Sequence, residues 1–224
     1  MSKRTQAQDP LLDRILTTGA PPVDESAERI LDAAIQHAED FGIRRFTIDD
    51  VARRVGVSRV TVYRHFPKKD RLIEAVVLHE LHRFLRAIGA AVEPYETLEK
   101  KLVEGFVFAL TFLREHRLLN RMLRTEPELL LPTLTVHATP ILSAGREFVA
   151  GFVRAEAARG GGLPLGDEEV DALSELLARS VLSFVLTPQS VLGLQSEAEI
   201  RHFAEHYLAM TLRAISELPR RPDE

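Results

Sequence analysis

Apolar residues three and four positions apart recur from about residue 26 to residue 217, and no convincing stretch alternates apolar and polar residues. A buried helical stripe repeats every 3.6 residues and a strand face every second residue, so the chain is restricted to helices joined by short loops. An all-α fold of about nine helices is expected. The first helix places Ala27, Ile30, Leu31, Ala34, Ala38 and Phe41 on one face, with Asp24 or Ser26 as cap and Gly42 as stop. A long helix from Asp70 to about Val92 repeats the pattern through Ile73, Val76, Val77, Leu81, Phe84 and Ile88 until Pro94.

Beyond it, a helix from about Thr97 to Glu115 has Leu102, Phe106, Ala109 and Leu113 on one stripe and Phe108 and Phe112 on another, which implies two packing neighbours. A short piece around Leu118 to Arg124 and a proline-punctuated stretch from Pro127 to Pro132 follow. A helix opens at Thr139-Pro140 and runs to about Arg159, where Gly160-Gly161-Gly162-Leu163-Pro164 reads as a flexible loop. Asp167 is the expected cap of the next helix, carrying Val170, Leu173, Leu177, Val181 and Phe184 to a stop at Thr187-Pro188. The last helix, 196–217, opens with the capping-box spacing of Ser196 and Glu199.

Four segments are expected: a tail over 1–22, a first domain over 23–70, a helical domain over 71–217, and a polar tail over 218–224. With 45% hydrophobic and 28% charged residues the composition is that of a globular protein. No run approaches the roughly 20 apolar residues of a membrane span, and a cytoplasmic location is expected. The absence of cysteine excludes disulfides, thiolate metal sites and a cysteine nucleophile. The net charge of −4 conceals a reversal along the chain: −4 over residues 1–42, +6 over 43–71 and −6 over 72–224. A basic island suits a local phosphate-binding surface, because counterion release depends on the contacting patch.

That island contains FTIDDVARRVGVSRVTVYRHF, residues 46–66. Thr47 is the expected cap of one short helix, with Asp50 three residues on and Ile48, Val51, Ala52 and Val55 on its buried side. Gly56 allows a tight turn. Ser58 caps a second helix, and Val57 before the cap staples to Val62. Val62 and Phe66 face inward, which leaves Arg59, Val60, Thr61, Tyr63, Arg64 and His65 without obvious partners until Pro67 ends the helix. These are the requirements of a helix-turn-helix, whose second helix offers its N-terminal residues to base edges. Arg59 suits guanine and Val60 or Thr61 a thymine methyl, while Thr47, Tyr63, His65 and Lys69 suit phosphate oxygens.

The run from Thr47 to Asp70, TIDDVARRVGVSRVTVYRHFPKKD, resembles the DNA-binding signature of the tetracycline-repressor (TetR) family, strongly over about residues 26–75 and more weakly to about 217. The resemblance implies a three-helix DNA-binding domain joined to a helical ligand-binding domain. It implies phosphate or base contacts from Thr47, Ser58, Arg59, Val60, Thr61, Tyr63, His65 and Lys69. It also implies a homodimer paired through the last two long helices, about 167–187 and 196–217. Such a dimer represses from a pseudo-palindromic site on double-stranded DNA until a small molecule releases it. Lys68 departs from the family, which often has a small capping residue there.

On the same reading Phe108, Phe112, Met122, His137, Phe148, Phe152 and Phe184 are candidate lining for a small, apolar effector. Ordinary core packing competes for each of them. No cofactor or metal is expected and no enzyme activity. One rival is a metal-dependent hydrolase, because His202-Phe203-Ala204-Glu205-His206 matches the H-x-x-E-H pattern of inverted zinc peptidases. A third distant ligand is needed, and little chain follows His206 to supply one. Another rival is an effector-insensitive regulator acting through a protein partner.

Overall fold

The computed structural model describes residues 24–160 and 165–216, and every regular element among them is helical. The N-terminal tail with Lys3, Arg4 and Arg14, residues 161–164 of the glycine loop and the C-terminal tail lie outside the described residues. The elements are α1 (Glu25–Phe41), α2 (Ile48–Val55), α3 (Arg59–His65), α4 (Lys69–Val92), α5 (Leu98–Glu115), α6 (Arg117–Thr125), α7 (Pro127–Leu134), α8 (Thr139–Ala158), α9 (Asp167–Leu186) and α10. The last consists of Glu197–Phe203, a π-helical turn over Ala204–Leu208 and Ala209–Ser216.

Three features depart from the sequence reading. The proline-punctuated stretch is a helix: Pro127 takes the first position, where its missing N–H costs no bond, and Pro132 lies in the final turn. Gly166, not Asp167, is the cap of α9; Asp167, Glu168 and Glu169 fill its first turn, at the positive end of the helix dipole. In α10 the π-helical turn inserts the equivalent of one residue, which rotates the following face by about 100°. The Ser196–Glu199 capping box is present in both directions.

The described residues form two compact units, 24–83 with 116–140, and 84–115 with 141–160 and 165–216. In the first, Ile30, Leu31, Ala34 and Ala38 of α1 pack with Phe46, Ile48, Val51, Ala52, Val62, Phe66, Leu72, Val76 and Leu118. Each large apolar side chain withdrawn from water here stabilises the unit by about 1.5–3 kcal/mol. Asp24 caps α1, accepting from the Ala27 N–H at 2.8 Å.

His37 is buried in this core, against Phe41 and Phe46. Burial lowers its pKa below the ordinary histidine value, although Asp50, 3.8 Å away, opposes the shift. The unfolded chain therefore binds the proton first as pH falls. The stability His37 supports is fully present above its unfolded pKa and is lost as pH falls toward its folded one. Denaturant midpoints should fall between pH 7.5 and pH 5.5, and His37→Leu should flatten that part of the profile. An unchanged slope would assign the pH dependence elsewhere.

In the second unit, α5 buries Leu102, Val103, Phe106, Val107 and Leu110 and packs against α9 and α10. Phe184 meets both Phe106 and Phe203 edge to face, at 6.4 and 5.4 Å between ring centres. Arg201 of α10 holds the buried Glu104 of α5 by two bonds of 2.9 and 3.0 Å. Phe112, on the second stripe of α5, stacks at 5.3 Å on Phe84 of α4, the second neighbour that the two stripes require.

Candidate nucleic-acid interface

The turn between α2 and α3 is made by local bonds. Gly56 adopts φ 78° and ψ 32°, the left-handed conformation that favours glycine. Its N–H and that of Val57 both donate to Ala52 O, at 3.0 Å each. Thr47 accepts from the Asp50 N–H at 3.2 Å. Asp50 lacks the reach of a glutamate for the cap's backbone, and its carboxylate accepts from the Thr47 hydroxyl instead. That bond holds the Asp50 carboxyl below the usual carboxylate range. Ser58 starts α3 by accepting from the Thr61 N–H at 3.1 Å, and its hydroxyl lies 2.9 Å from the Thr61 hydroxyl. Val57 packs against the core as the staple requires, and Val62 is wholly buried beneath α3.

The opposite side of α3 is open. Val60 is 77% exposed and Tyr63 is 44% exposed, large apolar or aromatic groups that a core would have taken in. Arg59, Ser58 and Thr47 are exposed beside them, and Thr61 is half-buried. Two of the eight expected contact residues are placed differently. The His65 side chain is only 15% exposed and turns toward Asp24, 3.9 Å away. Lys69 folds back over the Phe46 ring and donates to Arg44 O at 3.4 Å.

Sequence reading missed three carboxylates around this surface. Asp49, in the first turn of α2, forms an ion pair with Arg59. Glu128 of α7 pairs with Arg44 at 2.7 Å. Glu126, buried between α6 and α7, accepts from the N–H groups of Ile43 and Arg44 at 3.2 and 3.3 Å. It thereby holds the loop that leads into α2. Nothing local marks Glu126, since a lone glutamate beside a proline reads as a surface residue.

The seven candidate effector residues fall in two places. Met122 packs against the core of the first unit, and His137 is exposed in the turn after α7 of that unit. Phe108, Phe112, Phe148, Phe152 and Phe184 are half-buried members of the second unit. Among these, Phe108 and Phe112 are neighbours at 5.6 Å, whereas Phe184 belongs to the Phe106–Phe203 group. Phe152 lies beneath Lys101, whose ammonium is paired at 2.8 Å with the buried Glu156. His202 and His206 are exposed, 4.2 Å apart between ring centres. Among the described residues no group of three or more His, Cys, Asp or Glu could hold a metal, and no helix is long and apolar enough to cross a membrane.

Residues 30–76 match the model of bacterial regulatory proteins of the tetR family, and residues 98–205 match that of the bacterial tetracyclin repressor C-terminal domain. The chain belongs to the tetR family. That family is one of bacterial regulatory proteins, and curated relatives of the chain are described as HTH-type transcriptional regulators. The chain is 34% identical over 79 residues to an uncharacterized HTH-type transcriptional regulator of Mycobacterium tuberculosis, spanning 35% of this chain and 42% of that one. To the HTH-type transcriptional regulator TtgR of Pseudomonas putida it is 32% identical over 87 residues, 37% of this chain and 41% of that one. These matches thus span less than half the length of the curated relatives. The tetR family repressor AlkX of a Dietzia strain has the same fold, with a TM-score of 0.60 and 23% identity over 84% of this chain and 97% of that one. A putative transcriptional regulator of Pseudomonas aeruginosa gives a TM-score of 0.58 at 18% identity, over 93% and 98%.

Proposed function

We propose that this tetR-family chain is a cytoplasmic, non-enzymatic dimeric repressor that α3 seats in the major groove of a pseudo-palindromic operator and that a small apolar effector releases. The observation that carries the reading is the open face of α3, where Val60, Tyr63 and Arg59 stand out from a helix whose other side is buried in the core. Arg59, Val60 and Thr61 reach base edges in this reading, while Thr47, Ser58 and Tyr63 hold phosphates. Lys69 and His65 complete the phosphate set by swinging outward from their intramolecular partners. The dimer forms through α9 and α10, which expose Leu176, Tyr207 and Met210 besides the apolar residues they bury within the protomer. The half-buried phenylalanines of the second unit suit an apolar ligand.

Selection of the purified protein against random duplex DNA tests this. At about physiological salt, specific binding should exceed non-specific by roughly a thousandfold or more. The enriched site should be two-fold symmetric, with half-site centres about one helical turn, 34–36 Å, or a multiple of it apart. A protein free of small molecules that enriches no sequence would overturn the reading.

A further inference from the structure

Two histidines and a methionine that the DNA-reading face does not use stand in one row on α10. His202, His206 and Met210 are all exposed, and the two imidazole rings lie 4.2 Å apart between centres. In an unbroken α-helix a separation of eight residues would set Met210 about 80° around the axis from His202. The π-helical turn over Ala204–Leu208 inserts the equivalent of one residue, so the interval counts as seven and the two positions differ by only about 20°. His206 stands between them, four residues from each. At that spacing the Cβ atoms of helical neighbours are about 5–6 Å apart, and side chains lean toward the helix N-terminus, a lean that favours the Met210 thioether meeting the imidazoles. We propose that this row is a binding site for a soft monovalent metal ion, copper(I), held by the His202 and His206 imidazoles and the Met210 thioether.

The donor set selects the ion. Among the described residues neither imidazole makes a hydrogen bond or an ion pair, so their nitrogens are available to a metal. The acids on the same helix are committed elsewhere. Glu205 is paired with Lys100 at 2.9 Å, and Glu199 accepts from the Ser196 and Gln195 N–H groups at 2.8 and 3.0 Å in the capping box. Zinc takes four ligands from thiolates, imidazoles and carboxylates, and would find only the two imidazoles here. A thioether is a soft ligand that selects copper(I), an ion that is satisfied by two or three donors. Met210 also belongs to the face proposed above for pairing, so a bound ion would lie at that seam. The site is nevertheless complete within one protomer, and it does not depend on the operator reading.

The test titrates the full chain with copper(I), kept reduced and free of oxygen, in competition with a chromophoric copper(I) chelator, and separately with zinc(II). Wild type should take up one copper(I) per chain. His206→Ala and Met210→Leu should each weaken copper(I) by about tenfold or more, since losing a ligand costs at least as much as losing an outer-shell partner. Met210→Leu should leave zinc(II) uptake unchanged. Among the methionine methyl resonances, the one that Met210→Leu removes should shift with the first equivalent of copper(I). All three side chains face water in the protomer, so the unloaded variants should keep the wild-type thermal midpoint. Leucine also keeps the apolar bulk of Met210, and sedimentation of the same samples separates loss of a ligand from loss of pairing. If Met210→Leu binds copper(I) as tightly as wild type, or if a different methyl resonance shifts, the thioether is not a ligand and the inference is wrong. Zinc(II) held more tightly than copper(I) would mark an ordinary histidine pair and would equally overturn it. Copper(I) uptake that His206→Ala leaves unchanged would show an adventitious ion only.

Discussion

Gly42→Ala should destabilise the first unit by about 3 kcal/mol or more, the largest effect expected of any single methyl group in this chain. Gly42 has φ 85° and ψ 163°, a region that is essentially confined to glycine and costs other residues about 1–3 kcal/mol. A Cβ there would also overlap Glu126 Oε1. The carboxylate would have to withdraw, and its part-buried bonds from the Ile43 and Arg44 N–H groups would be lost, at about 1.5–3 kcal/mol for each bond to a charged group. Glu126→Ala should show the second cost alone, and Glu126→Gln, which keeps one acceptor oxygen, a smaller one. The double variant Gly42→Ala, Glu126→Ala should lose less than the sum, because the overlap is already gone. Denaturant titrations of the four variants and wild type check this. A Gly42→Ala midpoint indistinguishable from wild type would show that the loop relaxes freely and that Glu126 does not hold it.

The α2–turn–α3 segment was legible because each of its determinants acts within five residues: Thr47 on Asp50, Gly56 on Ala52, Ser58 on Thr61, Val57 beside Val62. Such signals survive without knowledge of the fold. The Glu126 bonds span 83 and 82 residues, and the pairing of Glu104 with Arg201 spans 97, so neither leaves a local trace. His65 illustrates a different limit. Its spacing from Arg59 and Tyr63 does not reveal that the first turn of α1 brings Asp24 to it, and the ring turns inward. The effector side was least legible, because half-buried aromatics have the same helical spacing whether they fill a core or line a cavity. Met122 carries that ambiguity to its end by packing against the core of the first unit. The extra helix α7 was hidden by Pro132, which lies inside the helix and removes one N–H from its ladder, a residue that ordinarily ends or kinks a helix.

On the proposed pairing through α9 and α10, Met210→Glu should convert the protein from dimer to monomer and reduce operator affinity by about 10²–10⁴-fold while leaving each protomer folded. Met210 is 63% exposed and Tyr207, three residues before it, is 55% exposed, whereas Ala204 and Leu208 of the same helix are buried. That helix therefore carries two apolar faces, and the protomer's own core uses one of them. A two-fold interface is isologous, so a residue near the axis meets its own copy. In the proposed dimer a glutamate there would place two carboxylates in one desolvated contact, whereas in the isolated protomer it would face water. With the dimer lost, each half-site must be bound independently and the effective concentration that links the two reading heads disappears. Sedimentation at micromolar concentration should show half the wild-type mass, with an unchanged thermal midpoint at low concentration. Binding to a single half-site should be unaffected. A Met210→Glu protein that still sediments as a dimer would place the interface on another face, and a monomer that keeps full operator affinity would show that one protomer suffices to read the site.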